Sequence, residues 1–262
     1  MSDILEELTA LRRRDAALRE AEIPFVEMVR RAESAPPPQD LTAKLRLADS
    51  PRVIAELKRA SPSEGMIRED FHPVELAREL EAAGAAALSV LCEPHRFLGS
   101  EDYLAAVRKA VSLPLLYKDF LSTRYQIAAA RAAGADAVLL IAAVLDEATL
   151  KDLLDFARGL GLAALVETHD EEEIARAVQA GARIVGVNCR NLRNFSTDVS
   201  LLETLVGRIP RPCLRVAESG MHTADAIRRA QAAGADGFLI GTALMRAERP
   251  EEKLKELLAG SR

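Results

Sequence analysis

At 262 residues the chain has room for one large domain or two small ones, and with 49% hydrophobic residues it can bury a sizeable core. Aromatic residues are only 4% and tryptophan is absent, so that core has to be built from Ala, Leu, Val and Ile. A net charge of −5, with both signs mixed along the chain, excludes a general nucleic-acid coat but allows a local basic pocket for a small phosphorylated ligand.

The N-terminus carries acidic residues and no apolar stretch of the kind a secretory signal needs. Ile4, Leu5, Leu8 and Leu11 then recur at helical spacing, followed by the charged run Arg12, Arg13 and Arg14. A second helix is predicted from Phe25 to Ala35 and is stopped by Pro36, Pro37 and Pro38, which cannot continue it. Residues 1–50 are therefore expected to form a helical extension packed on a main domain, residues 51–262. The mixed charge signs argue against a helix lying on a membrane.

From Arg52 onward, strand-length apolar runs appear at Val53–Leu57, Ala87–Cys92, Leu113–Tyr117, Ala137–Val144, Ala163–Val166, Ile184–Val187, Cys213–Ala217 and Gly237–Ile240. They are apolar throughout, as parallel strands buried on both faces must be. Between them lie stretches of helical periodicity such as Pro73–Ala83 and Thr223–Ala233. An Ala-Gly-Ala triplet, centred on Gly84, Gly134, Gly181 and Gly234, precedes every second strand at spacings of 50, 47 and 53 residues. Each glycine can end a helix in the left-handed conformation. A two-unit period met four times points to an α/β chain closed as a (β/α)8 TIM barrel, ahead of an open doubly wound sheet. The longest apolar run, near Ala137 to Leu145, is well short of the roughly 18–20 residues that span a bilayer.

Barrels of this kind place their sites at the C-terminal strand ends, and here those ends are polar. Strand one ends in Glu56 and Lys58, which alternation points to the same side, with Ser61 just beyond. Strand three ends in Lys118, strand five in Glu167, strand six in Asn188 and Arg190, and strand seven in Glu218. A single such residue reads as a solvated loop group or half of an ion pair. A converging ring of Glu56, Lys58, Lys118, Glu167, Arg190 and Glu218 reads as a site, because unused buried charge is costly. Lysines set against glutamates can also separate in pKa and so supply a proton donor and an acceptor. Ser219 and Gly220 after strand seven, with Gly241 and Thr242 after strand eight, occupy the usual phosphate position of such barrels. Phe97 and Phe120, near the rim of an aromatic-poor chain, are placed to contact a flat ring.

Cys92, Cys189 and Cys213 lie in apolar runs without C-x-x-C spacing and read as buried free thiols. The four histidines show no metal-ligand spacing, so no metal is expected, and His169 reads as a loop residue two positions after Glu167.

Taken together these segments resemble the indole-3-glycerol-phosphate synthase family over nearly the whole chain. The most specific stretch is Ile54 to Gly65, read IAELKRASPSEG. Tyr117-Lys118-Asp119-Phe120, Leu165-Val166-Glu167, Asn188-Cys189-Arg190-Asn191-Leu192 and Ala217-Glu218-Ser219-Gly220 follow in register. Cys189, Met221 and Cys92 depart from the residues usual in the family, and none of these removes a charged group. The resemblance implies a cytoplasmic, cofactor-free carboxy-lyase of tryptophan biosynthesis, monomeric or a weak homo-oligomer, whose partner is a small phosphorylated substrate. It implies Lys118 as general acid and Glu167 as its assistant. Lys58 would sit at the departing carboxylate, and Glu56, Asn188 and Glu218 would orient the lysines and the substrate hydroxyls. Ser61, Ser219, Gly220, Gly241 and Thr242 would bind phosphate, with Phe97 and Phe120 beside the aromatic ring. Two rivals are an isomerase or epimerase of sugar phosphates and a non-catalytic phosphate-sensing barrel. The first needs no Glu-x-Lys pair with Lys-Asp-Phe, and the second would have no use for the full acid–base set.

Overall fold

A computed structural model describes residues 4–47, 51–189 and 199–261. Eight parallel strands close into a barrel: β1 (Val53–Leu57), β2 (Ala87–Leu91), β3 (Leu115–Lys118), β4 (Ala137–Ile141), β5 (Ala163–Thr168), β6 (Ile184–Asn188), β7 (Leu214–Glu218) and β8 (Gly237–Ile240). Each pairs with its neighbour in sequence, and closure comes from β1 on β8 through Val53 with Phe238 and Ala55 with Ile240. The eight runs expected from sequence are the eight strands, with shifted ends. β3 starts at Leu115 because Pro114 has no N–H to give, although its carbonyl still accepts from Leu88. The fourth run does not stay extended to Val144: Ala142–Val144 turn as a 3-10 helix, a change that an unbroken apolar run cannot signal. At β3, β5, β6 and β7 the strand continues into the polar residues Lys118, Glu167, Asn188 and Glu218. An apolar criterion stops those strands too soon, because their last residues serve the mouth rather than the core.

Helices α4 (Pro73–Ala82), α5 (Glu101–Arg108), α6 (Arg124–Ala132), α7 (Glu147–Gly159), α8 (Glu171–Gln179), α9 (Val199–Arg208) and α10 (Ala224–Ala232) link successive strands. Short α11 (Thr242–Met245) and α12 (Pro250–Gly260) follow β8. The four repeat glycines all adopt positive φ, between 93° and 103°, and end α4, α6, α8 and α10 as expected. Strand side chains divide by alternation into two cores. Ala55, Leu57, Val90, Tyr117, Val166 and Val187 pack outward against the helices. Ile54, Leu116, Leu139, Leu165, Ile184, Val216 and Leu239 fill the barrel interior.

The N-terminal segment closes that interior at both ends. Leu5 and Leu8 of α1 (Ile4–Glu22) join the interior cluster together with Phe120 and Ile141, at the C-terminal mouth. Arg12 of the same helix grips Asp119, with Nε and Nη2 donating to its two oxygens at 3.0 and 2.7 Å. Helix α2 (Phe25–Ser34) lays Met28 and Ala32 on Tyr125, Ala128 and Ala129 of α6. Helix α3 (Leu41–Arg46) is too short for its apolar spacing to stand out in the sequence. It is capped by Asp40, which accepts from the Ala43 N–H, and it plugs the opposite end with Leu41 and Leu45. The fit there is close: a Cβ on Gly237 would lie 2.9 Å from Leu45 Cδ2. Among the described residues no helix is long and apolar enough to cross a membrane. All three cysteines are free and buried.

Leu45→Ala should leave a cavity that neither α3 nor the rigid strand ends can fill. The expected loss is about 2–5 kcal/mol of stability, read as a lower urea midpoint at unchanged slope. An unchanged midpoint would show that α3 does not seal the barrel.

Candidate active site

The alternation that turns Ile54, Leu116, Leu165 and Val216 into the barrel turns the next inward residue of each strand to the same axis. On the odd strands these are Glu56, Lys118, Glu167 and Glu218, one layer above the apolar one. Lys58 follows Glu56 two residues on, and its Nζ lies 2.8 Å from Glu56 Oε1. The Lys118 ammonium donates to Glu167 Oε2 at 2.8 Å and to Glu218 Oε2 at 3.3 Å. Glu167 and Glu218 have side chains 4% and 2% exposed, whereas Lys118 keeps 14% and can be reached from the mouth. Asn188 donates through Nδ2 to Glu167 Oε1 at 3.2 Å and accepts the Ser219 hydroxyl at 2.8 Å.

Burial opposes every charge in this layer, and the neighbours decide which charges persist. Burial alone would lower the pKa of Lys118, but Glu167, Glu218 and Glu56 outweigh it and hold the ammonium well above its ordinary value. Burial would raise Glu167, but the charges of Lys118 and His169 keep it well below the usual carboxylate range. Glu218 goes the other way. Burial raises it, Lys118 only partly compensates, and the adjacent Glu167 charge adds to the rise, so its carboxyl is pushed up to about 8. Among the described residues its Oε1 is buried without a hydrogen-bond partner. Across the one ammonium, the layer thus favours the ionised form at Glu167 and the protonated form at Glu218.

His169 lies just past β5, as a loop residue should, but its ring is part of this network. Nδ1 is 3.1 Å from Glu173 Oε2 and Nε2 is 3.5 Å from Glu167 Oε1. Burial disfavours the imidazolium, yet the two carboxylates overcome it and raise its pKa to about 10. Glu167 is thus set between two cations. Nothing in the spacing of His169 distinguishes it from an ordinary loop histidine.

Two glycines make room for the acids. A Cβ on Gly241 would fall 2.3 Å from Glu56 Oε1, and one on Gly186 would fall 2.0 Å from Glu218 Oε1. Gly241 was marked from sequence as a phosphate residue, whereas Gly186 sits mid-strand in β6 and is not legible as part of a site. Ser219 and Gly220 turn at φ of 65° and 73°, placing the segment after β7 beside Gly241 and Thr242 at the start of α11. Just beyond β1, the neighbour of β8, the hairpin formed by Ala60–Ser61 and Gly65–Met66 brings in Ser61, whose hydroxyl lies 3.3 Å from that of Ser63.

The acids and lysines of the ionic layer, the turn after β7 and Ser61 line one cavity of about 1040 Å³, measured out to open solvent. Glu56, Lys58, Ser61, Phe97, Lys118, Phe120, Glu167, Asn188, Glu218, Ser219, Gly220, Gly241 and Thr242 come together in it. Arg190, expected in the same ring, lies outside the described residues. The sequence did not single out the apolar wall, which comes from Leu5 and Leu8 of α1, Leu139, Ile141 and Leu239. The cavity thus has an ionic floor, an apolar and aromatic side with Phe97 and Phe120 6.1 Å apart, and a hydroxyl- and glycine-rich side. That division suits a ligand with a flat apolar ring at one end and an anion at the other.

Comparison with known proteins agrees. A model of the family described as "Indole-3-glycerol phosphate synthase" matches residues 5–257. Proteins so named from Albidiferax ferrireducens and Sulfurimonas denitrificans are 47% and 45% identical to this chain. The first alignment covers 99% of both chains, and the second covers 98% of this one and 99% of that one. The counterpart from Campylobacter jejuni subsp. doylei is 45% identical over 97% of this chain and its own full length. Among solved structures, thiamine phosphate pyrophosphorylase from Pyrococcus furiosus superposes with a TM-score of 0.59 at 19% identity. It covers 83% of this chain and 96% of its own, a likeness of fold alone.

The Glu218 carboxyl binds its proton more tightly folded than unfolded, so stability is fully present below the ordinary carboxyl pKa and is lost as pH rises through about 8. Glu218→Gln removes that loss. The variant's melting temperature should gain on that of the wild type by several degrees between pH 5 and pH 9. A constant difference across that range would show that Glu218 titrates normally.

Proposed function

The chain belongs to the indole-3-glycerol phosphate synthase family, and from that premise we propose how its residues carry the reaction. The activity is that of a carboxy-lyase of tryptophan biosynthesis. It closes 1-(2-carboxyphenylamino)-1-deoxyribulose 5-phosphate to indole-3-glycerol phosphate with loss of carbon dioxide and water. The observation that supports the reading best is the Lys118 ammonium, largely buried in the ionic floor between Glu167 and Glu218 and still reachable from the cavity.

In this reading Lys118 is the general acid of ring closure. The ring carbon bearing the carboxylate attacks the ribulose carbonyl, and Lys118 delivers a proton to that oxygen as it becomes an alkoxide. An alkoxide is a stronger base than an amine, so even a strongly held ammonium proton can pass to it. The carboxylate then leaves as carbon dioxide, its electron pair restoring the aromatic ring. Lys58, held by Glu56 at 2.8 Å, binds that carboxylate and afterwards protonates the departing hydroxyl. Glu167, kept ionised by its two cationic neighbours, faces the positive charge that grows on the anilino nitrogen and accepts the proton lost in dehydration. Asn188 and Glu218 orient Glu167 and Lys118. The phosphate rests on Ser61, Ser219, Gly220, Gly241 and Thr242, with the benzene ring beside Phe97 and Phe120. No cofactor enters any of these steps, and a cytoplasmic location fits the metabolic role.

Lys118→Met should fold and bind substrate, yet lose about 10²–10⁴-fold in kcat, because a positioned acid contributes that much. Near-wild-type appearance of fluorescent indole product would reject Lys118 as the acid. Inorganic phosphate should compete with substrate, and Thr242→Val should weaken phosphate and substrate together. A purely noncompetitive effect would move the anion site elsewhere.

A further inference from the structure

The segment after β2 is wound around a buried acid that the chemistry above does not use. Glu93 is 0% exposed. Its Oε1 accepts the His95 N–H at 2.7 Å, and its Oε2 accepts the N–H groups of Arg96 and Phe97, each at 2.8 Å. Its own carbonyl accepts from Gly99 at 2.7 Å, and the next amide, Ser100, returns to Leu91 at 3.2 Å. One side chain thus satisfies three consecutive backbone donors that this tight path would otherwise leave unpaired.

The path has no slack. Leu98 takes a φ of 52°, where side-chain-bearing residues rarely sit, and a Cβ on Gly99 would lie 2.4 Å from the Leu91 carbonyl oxygen. Of residues 93–99 only Phe97 reaches the active-site cavity. Its ring stands 6.1 Å from that of Phe120 at an interplanar angle of 43°. His95 and Arg96 face α1 instead, meeting Asp15 at 2.7 Å and Glu7 at 2.9 Å.

We propose that Glu93 is a positioning residue for the reaction: by fixing the amides of residues 95–97 it sets the height and tilt of Phe97, and so the shape of the aromatic wall that Phe97 forms with Phe120 beside the substrate's aminobenzoate ring. This rests on the reading that Phe97 and Phe120 lie beside that ring. A carboxyl group suits the task because both of its oxygens accept. A glutamine keeps the size but turns an NH₂ toward one or two backbone N–H groups, which it cannot satisfy. The aromatic wall would then relax while the ionic floor and the phosphate side, carried on other strands, stay in place.

The test is a double-mutant cycle of Glu93→Gln and Phe97→Leu, followed by kcat/KM for indole product and by inhibition with inorganic phosphate. Each single variant should lose about tenfold in kcat/KM, the effect of one mispaired hydrogen bond or one displaced ring. The double variant should fall no further than the worse single variant, with phosphate inhibition within about twofold of wild type in all three. Independent, multiplying losses would overturn the proposal, as would a Glu93→Gln protein that melts earlier but turns over normally. A silent Phe97→Leu would instead remove the aromatic wall itself, and a Glu93→Gln that is silent while Phe97→Leu is not would remove only the role of Glu93. Should Glu93→Gln not accumulate folded, Glu93→Asp, one methylene shorter, enters the same cycle with the same expected outcomes.

Discussion

Everything at the mouth of this barrel depends on one buried cation having more acid around it than it needs. The Lys118 ammonium would be expelled or neutralised by an apolar floor, and it persists because Glu167, Glu218 and Glu56 surround it. Three carboxylates are too many for one lysine in so dry a layer. The excess is resolved by giving Glu167 a second cation in His169, pairing Glu56 with Lys58, and raising the proton affinity of Glu218. Removing either partner of the Lys118–Glu167 pair strands the other, which ties the positions of four strands to one charge balance.

That balance needs water kept away on one side and admitted on the other, and the N-terminal segment sets this boundary. Leu5 and Leu8 cover the apolar side of the mouth, while α3 closes the far end, so the ionic layer opens only toward the cavity. The cover is fastened beside the lysine it protects. Arg12 grips Asp119, the residue next to Lys118, in a pair that is itself buried. Burial works against the Arg12 charge, and hydrogen bonding to Asp119 more than restores it. A displacement of α1 would therefore reach β3 directly rather than through the core.

Most of the barrel was legible because its strands are buried on both faces and its helices end on repeated glycines. The ring of strand-end charges was equally plain, since polar residues in apolar runs need a reason. What escaped has a common cause. Gly186, His169 and Glu93 are ordinary residues in their local segments, and each gains its meaning from a partner far away in sequence or from a backbone path that no periodicity records. Helix α3 escaped because six residues give too little spacing to read. The strand ends were misjudged where an inward side chain serves the cavity, because there the hydrophobic rule no longer describes what the position needs.

The same logic accounts for the composition. A chain with so few aromatics fills its interior with Leu, Val, Ile and Ala, which pack well but offer a substrate ring no flat face. Among the described residues two phenylalanines stand at the mouth, and they hold their orientation by different means. Phe120 follows directly on Lys118 and Asp119, so strand β3 and the grip of Arg12 fix it together with the catalytic layer. Phe97 has no strand beneath it and depends on the Glu93 loop, which in turn meets α1 through His95 and Arg96. One ring of the aromatic wall is thus fixed through β3, and the other through the loop that meets α1. The relative height of the two rings therefore depends on how α1 is seated as well as on the barrel.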